Sequence, residues 1–394
     1  MPRIVIGKDG QIAIPPLYRE RYGLDEGKEL ILEGMEDGLA LRVAAPDVRK
    51  VYLEVTTRCN LHCATCVRNV WDEPLKDMDE ETFGLVLEQM RALPELREVN
   101  IGGYGEPFYH PRILDMLREI KALGVRVTVS SNGLLIGGRA DELIGLVDRL
   151  VVSIDGVKPE TYEGIRRGSD LSQVLANIAA LNEAKRRRGS VLPRVGVEFV
   201  AMRRNIEELP ALLELANSIG ASFVIITNLL PHTEEMMEEV LYSRDGDFQL
   251  PISIGWPVKS GDWLLWGVME LPRMSWGAER RCRFIAGKAL VIGWDGGVSP
   301  CYALMHSYPY YIFGRRKQVT RYTLGNVHDS TLAEIWTSED YVRFRAQVRD
   351  FRFPSCVDCD LRDTCDLREI NEGCWGWNPS CADCLWAQDI VRCP

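Results

Sequence analysis

The sequence predicts an α/β fold: a partial barrel of six β/α units, with a small β unit before it and a cysteine-rich segment after it. Three observations predict it. Between residues 47 and 235, apolar runs of strand length alternate with stretches whose apolar residues recur at helical spacing, and such alternation builds a parallel sheet with right-handed crossovers. The first 46 residues hold short strand-like runs and an Asp37-Gly38 pair, a strong hairpin signal. Nine of the twelve cysteines lie after residue 281.

Composition narrows the function classes. A chain of 394 residues, 46% hydrophobic, is long enough for two or three domains with a packed core. Its formal net charge of −10 argues against generic attraction to nucleic acid or anionic membranes. The opening "MPRIVIGKDG" is too short an apolar run for a signal peptide, and "SFVIITNLL" falls short of a membrane span. The expected location is the cytoplasm, with no membrane partner. Thiols stay reduced there, so twelve cysteines read as ligands of metals or clusters rather than as disulfides.

In chain order, residues 1–46 read as strand, Ile-Pro, short helix and closing hairpin. This segment resembles the AbrB/MazE-type swapped-hairpin domain at Ile12, Ile14, Pro15, Leu24, Gly27, Leu30 and Gly38. The resemblance implies a homodimer through residues 1–46, or a substrate-docking module; its six Lys and Arg against eight Asp and Glu disfavour DNA. Residues 47–235 form the barrel, with strands expected at 51–57, 97–102, 125–130, 149–154, 195–201 and 222–228. Helices are expected at 79–93, opened by Asp79 with Glu80 and Glu81 in its first turn, and at 206–219, closed by Gly220. The run "KRRRG" at 185–189 reads as a helix end whose cations complement the dipole. Residues 236–281 carry Trp256, Trp263, Trp266 and Trp276 and read as a bridge that serves as core or lid. Residues 282–394 form the cysteine-rich part.

Ligands of such folds gather at the carboxyl ends of the strands, and the first strand runs directly into "VTTRCNLHCATC", residues 55–66. Three soft thiolates spaced C-x3-C-x2-C suit an iron-sulfur cluster with one iron left for an outside ligand. A zinc knuckle would want a fourth Cys or His, and His62 lies inside the loop. Cys59, Cys63 and Cys66 resemble the signature loop of the radical S-adenosylmethionine (SAM) superfamily, with Asn60 in its usual place and Thr65 where relatives often have an aromatic residue. The resemblance implies a partial (β/α)6 radical SAM barrel and a SAM-binding [4Fe-4S] cluster on those cysteines. It continues along the strand ends. "IGGYGEP" (101–107) is similar to the family's Gly-Gly-Glu motif, so Gly105 is the candidate for close backbone approach to the cosubstrate and Glu106 for the methionyl ammonium. "SSNG" (130–133) and "SIDG" (153–156) offer Ser131, Asn132, Ser153 and Asp155 for the ribose and the methionyl carboxylate. Each motif alone is an ordinary turn sequence; four at successive strand ends favour the ligand reading. No general base stands out.

The later cysteines arrive as Cys282, then "GGVSPC" (296–301), "CVDCDLRDTC" (356–365), Cys374, "CADC" (381–384) and Cys393. With "LGNVHDSTLAEIW" (324–336) they resemble the SPASM extension of radical SAM maturases, which implies two auxiliary [4Fe-4S] clusters and three clusters in all. The resemblance assigns Cys356, Cys359 and Cys365 to the outer cluster, with Cys384 or Cys381 as fourth ligand, and Cys282, Cys301 and a later cysteine to the inner one. Glu369 stands where the family has a further cysteine, and Cys374 is the candidate replacement. A zinc ribbon is the alternative for this block.

The whole chain resembles the radical SAM maturases of tungsten-dependent aldehyde ferredoxin oxidoreductases. That resemblance implies an enzyme, a radical SAM oxidoreductase or maturase that cleaves SAM reductively to a 5′-deoxyadenosyl radical and oxidatively modifies a peptide or protein, with a tungsten oxidoreductase as target and ferredoxin or flavodoxin as low-potential donor. A peptide natural-product or sulfatase-type maturase is the nearest alternative. A DNA-binding iron-sulfur or zinc redox sensor is the alternative of another class.

Overall fold

The structure, a computed structural model, describes residues 4–393 other than 28, 36, 37, 44, 245, 247, 252–268, 278 and 279. A short helix α1 (Pro16–Tyr22) precedes an antiparallel hairpin of β1 (Leu30–Met35) and β2 (Gly38–Val43). Then come the barrel strands β3 (Lys50–Leu53), β4 (Glu98–Ile101), β5 (Arg126–Ser131), β6 (Arg149–Ser153), β7 (Arg194–Ala201) and β8 (Phe223–Asn228), each parallel to the next. All six expected strands are present.

The sheet does not stop there. The strand β9 (Met269–Glu270) adds parallel to β8, and β10 (Ala289–Ile292) adds parallel to β3; β11 (Gly297–Ser299) and, beyond the antiparallel pair β12 (Tyr308–Ile312) and β13 (Arg315–Val319), β14 (Gly325–Asn326) extend that edge in antiparallel fashion. The cysteine-rich part is thus welded to the barrel through a shared mixed sheet of ten strands.

Helices cover the outer face as the sequence dictates. In α2 (Glu80–Arg91) the Asp79 side chain accepts the Thr82 N–H, and Phe83, Val86, Leu87 and Met90 face inward at helical spacing. The crossover after β4 carries α3 (Ile113–Lys121), and the segment between β5 and β6 the single turn α4 (Ala140–Leu143). After β6 come α5 (Pro159–Ile165) and α6 (Leu171–Arg187), whose last turn holds Lys185, Arg186 and Arg187 beside the unpaired carbonyls. The stretch expected as a helix at 206–219 is a 3-10 turn followed by α7 (Leu209–Ser218). Trp276 packs edge-on against Phe313, their rings 5.8 Å apart, as core; Trp256, Trp263 and Trp266 lie outside the described residues. Among the described residues no helix is long and apolar enough to cross a membrane.

Candidate active site

At the carboxyl ends of β3 to β8 lies a cavity of about 280 Å³. Cys59, Cys63, Cys66, Gly105, Glu106, Ser131, Asn132 and Ser153 all line it. A larger cavity, about 1070 Å³, separates the amino-terminal hairpin from the carboxy-terminal helices, but it lacks the three-thiol loop.

The loop is held at its base and flank. Thr57 N–H donates to Lys76 O at 2.9 Å, His62 N–H to Arg167 O at 3.1 Å and Ala64 N–H to Ile165 O at 2.7 Å. Arg68 then clamps it from within: Nη1 donates to Thr57 O, Nη2 to Leu61 O, both at 3.0 Å, and Nε reaches Cys66 Sγ at 3.3 Å. Burial pushes the Cys59 thiol up to about 11 and raises that of Cys63, so proton release must accompany ligation. Among the described residues no three Cys, His, Asp or Glu side chains are arranged to share one metal ion. A cubane cluster takes each thiolate on a different iron, so three thiols ringing a cavity fit it, whereas a mononuclear zinc needs convergent ligands.

The glycine loop approaches the cysteine loop backbone to backbone. A Cβ on Gly105 would sit 2.0 Å from Thr56 O, so no other residue fits there. Glu106 is 2% exposed; its Oε1 accepts from Phe108 N–H and Ser131 Oγ, and its Oε2 from Asn132 N–H at 2.7 Å. Three of its roughly four acceptor positions are filled, leaving one for a ligand cation. Burial raises its pKa against these bonds. Asn132 Nδ2 donates to Asn60 Oδ1 at 2.9 Å, which ties the third strand end to the cysteine loop.

Asp155 sits elsewhere. It is fully buried behind the wall, where Oδ1 accepts the Val200 N–H at 2.8 Å and Oδ2 meets Arg166 Nε at 2.8 Å. Its part in the cavity passes to Arg166, whose guanidinium lines the space and keeps its charge because Asp155, Cys63 and Glu198 outweigh the cost of burial. Sequence reasoning missed Arg166, which stands one residue beyond α5 in an unremarkable "GIRRG". It also missed Glu198, register partner of Ser153 in the parallel sheet, whose carboxyl burial pushes up to about 7. An acid in the apolar strand "RVGVEFVA" was the available signal.

The carboxy-terminal part closes the site. Glu54, at the end of β3, accepts the Tyr104 N–H at 2.9 Å and pairs with His306 Nε2 at 2.8 Å; His306 Nδ1 meets Glu73 at 2.5 Å, and Trp71 packs on its ring. Burial would lower the His306 pKa, but the two carboxylates raise it to about 9. An imidazolium raised above its unfolded value of about 6.5 stabilises the fold below that pH and loses the contribution as pH climbs through the folded value. The thermal midpoint is therefore expected to fall between pH 7 and about 9, and His306→Gln to remove most of that slope; an unchanged slope in the variant would refute the assignment.

The remaining thiols sort into neighbourhoods. Burial and the thiols of Cys282 and Cys384 raise Cys301 well above the usual range, and Cys381 is raised by burial, Cys384, Cys301 and Cys282. The Cys356 thiol, pushed to about 11, is raised chiefly by burial and then Asp383, with Cys374 also near. Cys381, Cys384 and Cys301 thus share surroundings, with Cys282 also near, while Asp383, between Cys381 and Cys384 in the chain, and Cys374 lie near Cys356. No two of the twelve cysteines form a disulfide.

Comparison with known proteins fits this geometry. The Radical SAM superfamily model matches residues 53–216, and that of an iron-sulfur cluster-binding domain, SPASM, matches 282–360. A "tungsten-containing aldehyde ferredoxin oxidoreductase cofactor-modifying protein" from Pyrococcus furiosus is 40% identical over 88% of this chain and 97% of its own length. The chain belongs to the radical SAM superfamily. It is a radical SAM enzyme with a SPASM domain, and such enzymes use iron-sulfur clusters and SAM; the sensor reading is set aside. A probable GTP 3′,8-cyclase of Methanocaldococcus jannaschii is 29% identical over 48% of this chain and 62% of that protein. Streptococcus suis SuiB bound to S-adenosylmethionine superposes with TM-score 0.55 at 13% identity over 82% of this chain and 73% of that one, and anSMEcpe with bound AdoMet and the Cp18Cys peptide with 0.52 at 15% over 87% and 94%. Those two share the fold of this chain.

Proposed function

We propose that this enzyme is a maturase of a tungsten-dependent aldehyde ferredoxin oxidoreductase, generating a 5′-deoxyadenosyl radical from SAM and oxidising a peptide or protein substrate. The relative named for modifying that oxidoreductase's cofactor, similar along nearly its full length, is the observation that carries this reading. Cys59, Cys63 and Cys66 would hold the SAM-binding cluster, which supplies the low-potential electron. Glu106 takes the methionyl ammonium at its free acceptor position, and Arg166 the carboxylate. Ser153 and Glu198, paired across β6 and β7, suit the ribose hydroxyls, and Ser131 and Asn132 hold Glu106 and the cysteine loop in place. The shared surroundings of Cys282, Cys301, Cys381 and Cys384 support one auxiliary cluster, the inner, and Cys374 near Cys356 supports an outer one, to which Cys359 and Cys365 belong by their spacing from Cys356. A cytoplasmic setting with ferredoxin or flavodoxin as donor suits twelve reduced thiols.

After anaerobic reconstitution the protein is expected to carry about twelve irons, three four-iron clusters, and to convert SAM to 5′-deoxyadenosine under dithionite. A count near four irons would refute the three-cluster complement, and no 5′-deoxyadenosine would refute the reaction. Coexpression with a tungsten oxidoreductase tests the target: the oxidoreductase should gain activity only with the intact maturase.

The amino-terminal unit reads best as a dimer contact. Val5, Ile6, Leu17, Leu32 and Leu39 are between 59% and 82% exposed, an apolar load that a solvated unit of this size does not carry unpaired. Light scattering is expected to find a dimer that Leu32→Glu with Leu39→Glu dissociates; a monomeric wild type would refute it.

A further inference from the structure

The chain carries a net charge of −10, yet one face of it is cationic. The large cleft between the amino-terminal hairpin and the carboxy-terminal helices adjoins a second cavity, with Arg281 and Ala286 lining both. Eight Lys and Arg side chains line the two, against the carboxylates of Asp47 and Asp389 alone. Much of this charge is local in origin: "RRCR" at 280–283 sets three arginines around Cys282, and the helix Glu339–Asp350 adds Arg345 and Arg349.

These charges are not all cancelled in place. Lys288 pairs with Asp47, but Arg345 makes no ion pair among the described residues. Its guanidinium carbon lies 3.8 Å from the centre of the Trp336 ring, and Nη1 donates to Trp336 O at 2.7 Å. Burial pulls the Arg345 pKa down to about 10, and Arg349 adds to the fall against the pull of Tyr341 and Asp47. Arg281 is exposed and also has no ion pair among the described residues. Cations crowded in this way attract an anion. The facing wall, from Tyr18 and Tyr22 of α1 and Leu30 and Leu41 of the hairpin, offers apolar contact, and apolar area bordered by arginine is the make-up of a protein–protein interface.

Place in the fold narrows the partner. Asp47 and Lys288 stand just ahead of β3 and β10, which run parallel, so the cleft opens at the amino ends of the strands and the SAM cavity at the carboxyl ends. The four residues of β3, at about 3.3 Å each, put roughly 13 Å between the two levels. A carbon held in the cleft does not meet the radical across that span, whereas electron transfer needs no contact between the reacting centres. Among the described residues Cys282 is the one thiol that lines the cleft, and it belongs to the proposed inner cluster.

We propose that this cationic face docks a small acidic protein that carries one electron at a time. Docked there, the reduced carrier loses one electron, and the cluster held in part by Cys282 gains it. The acidic remainder of the chain repels such a carrier, so the same charges that attract it also decide where it lands. The docking face rests on the reading of this chain as a reductively driven SAM enzyme with an inner cluster on Cys282.

A reduced flavodoxin of acidic pI is the probe, because its flavin turns blue on losing one electron. Mixed by stopped flow with reconstituted full-length protein, it is expected to be oxidised at a rate that falls with added salt. Arg281→Glu with Arg349→Glu should lower the second-order rate constant by about tenfold or more, and Arg281→Lys with Arg349→Lys should keep it. Both pairs should retain the wild-type iron content and the wild-type yield of 5′-deoxyadenosine under dithionite, which needs no docking. No oxidation by the wild type, or a wild-type rate in the Glu pair, would overturn the proposal; if light scattering also finds that pair monomeric where the wild type is a dimer, the cleft belongs to a second copy of the chain. Loss of about four irons in the Glu pair would overturn it too, by making the arginines supports of the Cys282 ligand. No 5′-deoxyadenosine from the wild type under dithionite would count against the enzyme reading, while flavodoxin oxidation still decides the docking face.

Discussion

Alanine at Cys59, Cys63 or Cys66 is expected to abolish reductive cleavage of SAM, taking 5′-deoxyadenosine below detection. A cluster held by three thiolates has no spare ligand, because its fourth iron must stay open for the cosubstrate. No further thiol stands in the loop to substitute, and Arg68 gives Cys66 a charge-assisted partner at 3.3 Å but is itself no ligand. The loop itself should persist in each variant, since its anchors are backbone bonds to Lys76, Ile165 and Arg167 and the buried Leu61 side chain. Iron should fall by about four per chain, with the carboxy-terminal thiols unaffected. Chromatography of the reaction and an iron and sulfide assay check both halves; activity surviving in any one variant would remove that cysteine from the ligand set.

The second large effect is predicted at a residue outside the cavity. Asp155→Asn is expected to cost about 3 kcal/mol, because breaking a buried ion pair leaves an uncompensated charge at about 3–5 kcal/mol. Asp155 is fully buried, and Arg166 Nε lies 2.8 Å from its carboxylate. Glu198 and Cys63 beside the guanidinium place the effect at the low end of that range. The freed Arg166 should also lose its aim into the cavity, weakening SAM binding in parallel. Urea unfolding and equilibrium SAM binding measure the two. A stability within about 0.5 kcal/mol of wild type, the range of an ordinary surface change, would show that the pair does not hold the site together.

Much of this was legible beforehand because it is local. Strand after strand of the barrel announced itself by an apolar run followed by a turn, since a strand buried on both faces must be apolar throughout. The cysteine loop was legible because its three ligands lie within eight residues, and the turn sequences at 105–106, 131–132 and 153 because each ends a strand. Asp155 sits in an equally good turn, yet its carboxylate points away from the cavity to Val200 and Arg166; sequence shows that a turn exists, not which way its side chain faces.

By itself, then, the sequence determined the barrel, the three-cysteine loop and the kind of cofactor chemistry, all properties of contiguous residues. Tertiary structure alone decided which distant groups meet. It brought Arg166 and Glu198 from separate elements to one cavity, set His306 between Glu54 and Glu73, gathered Cys381 and Cys384 near Cys282 and Cys301, and brought Cys393 into the wall of the cavity that Cys59 also lines. Spacing along a chain fixes distance only within a turn or two; beyond that the pairing of strands and the closing of the core set it, as β10 shows by joining β3 across more than two hundred residues.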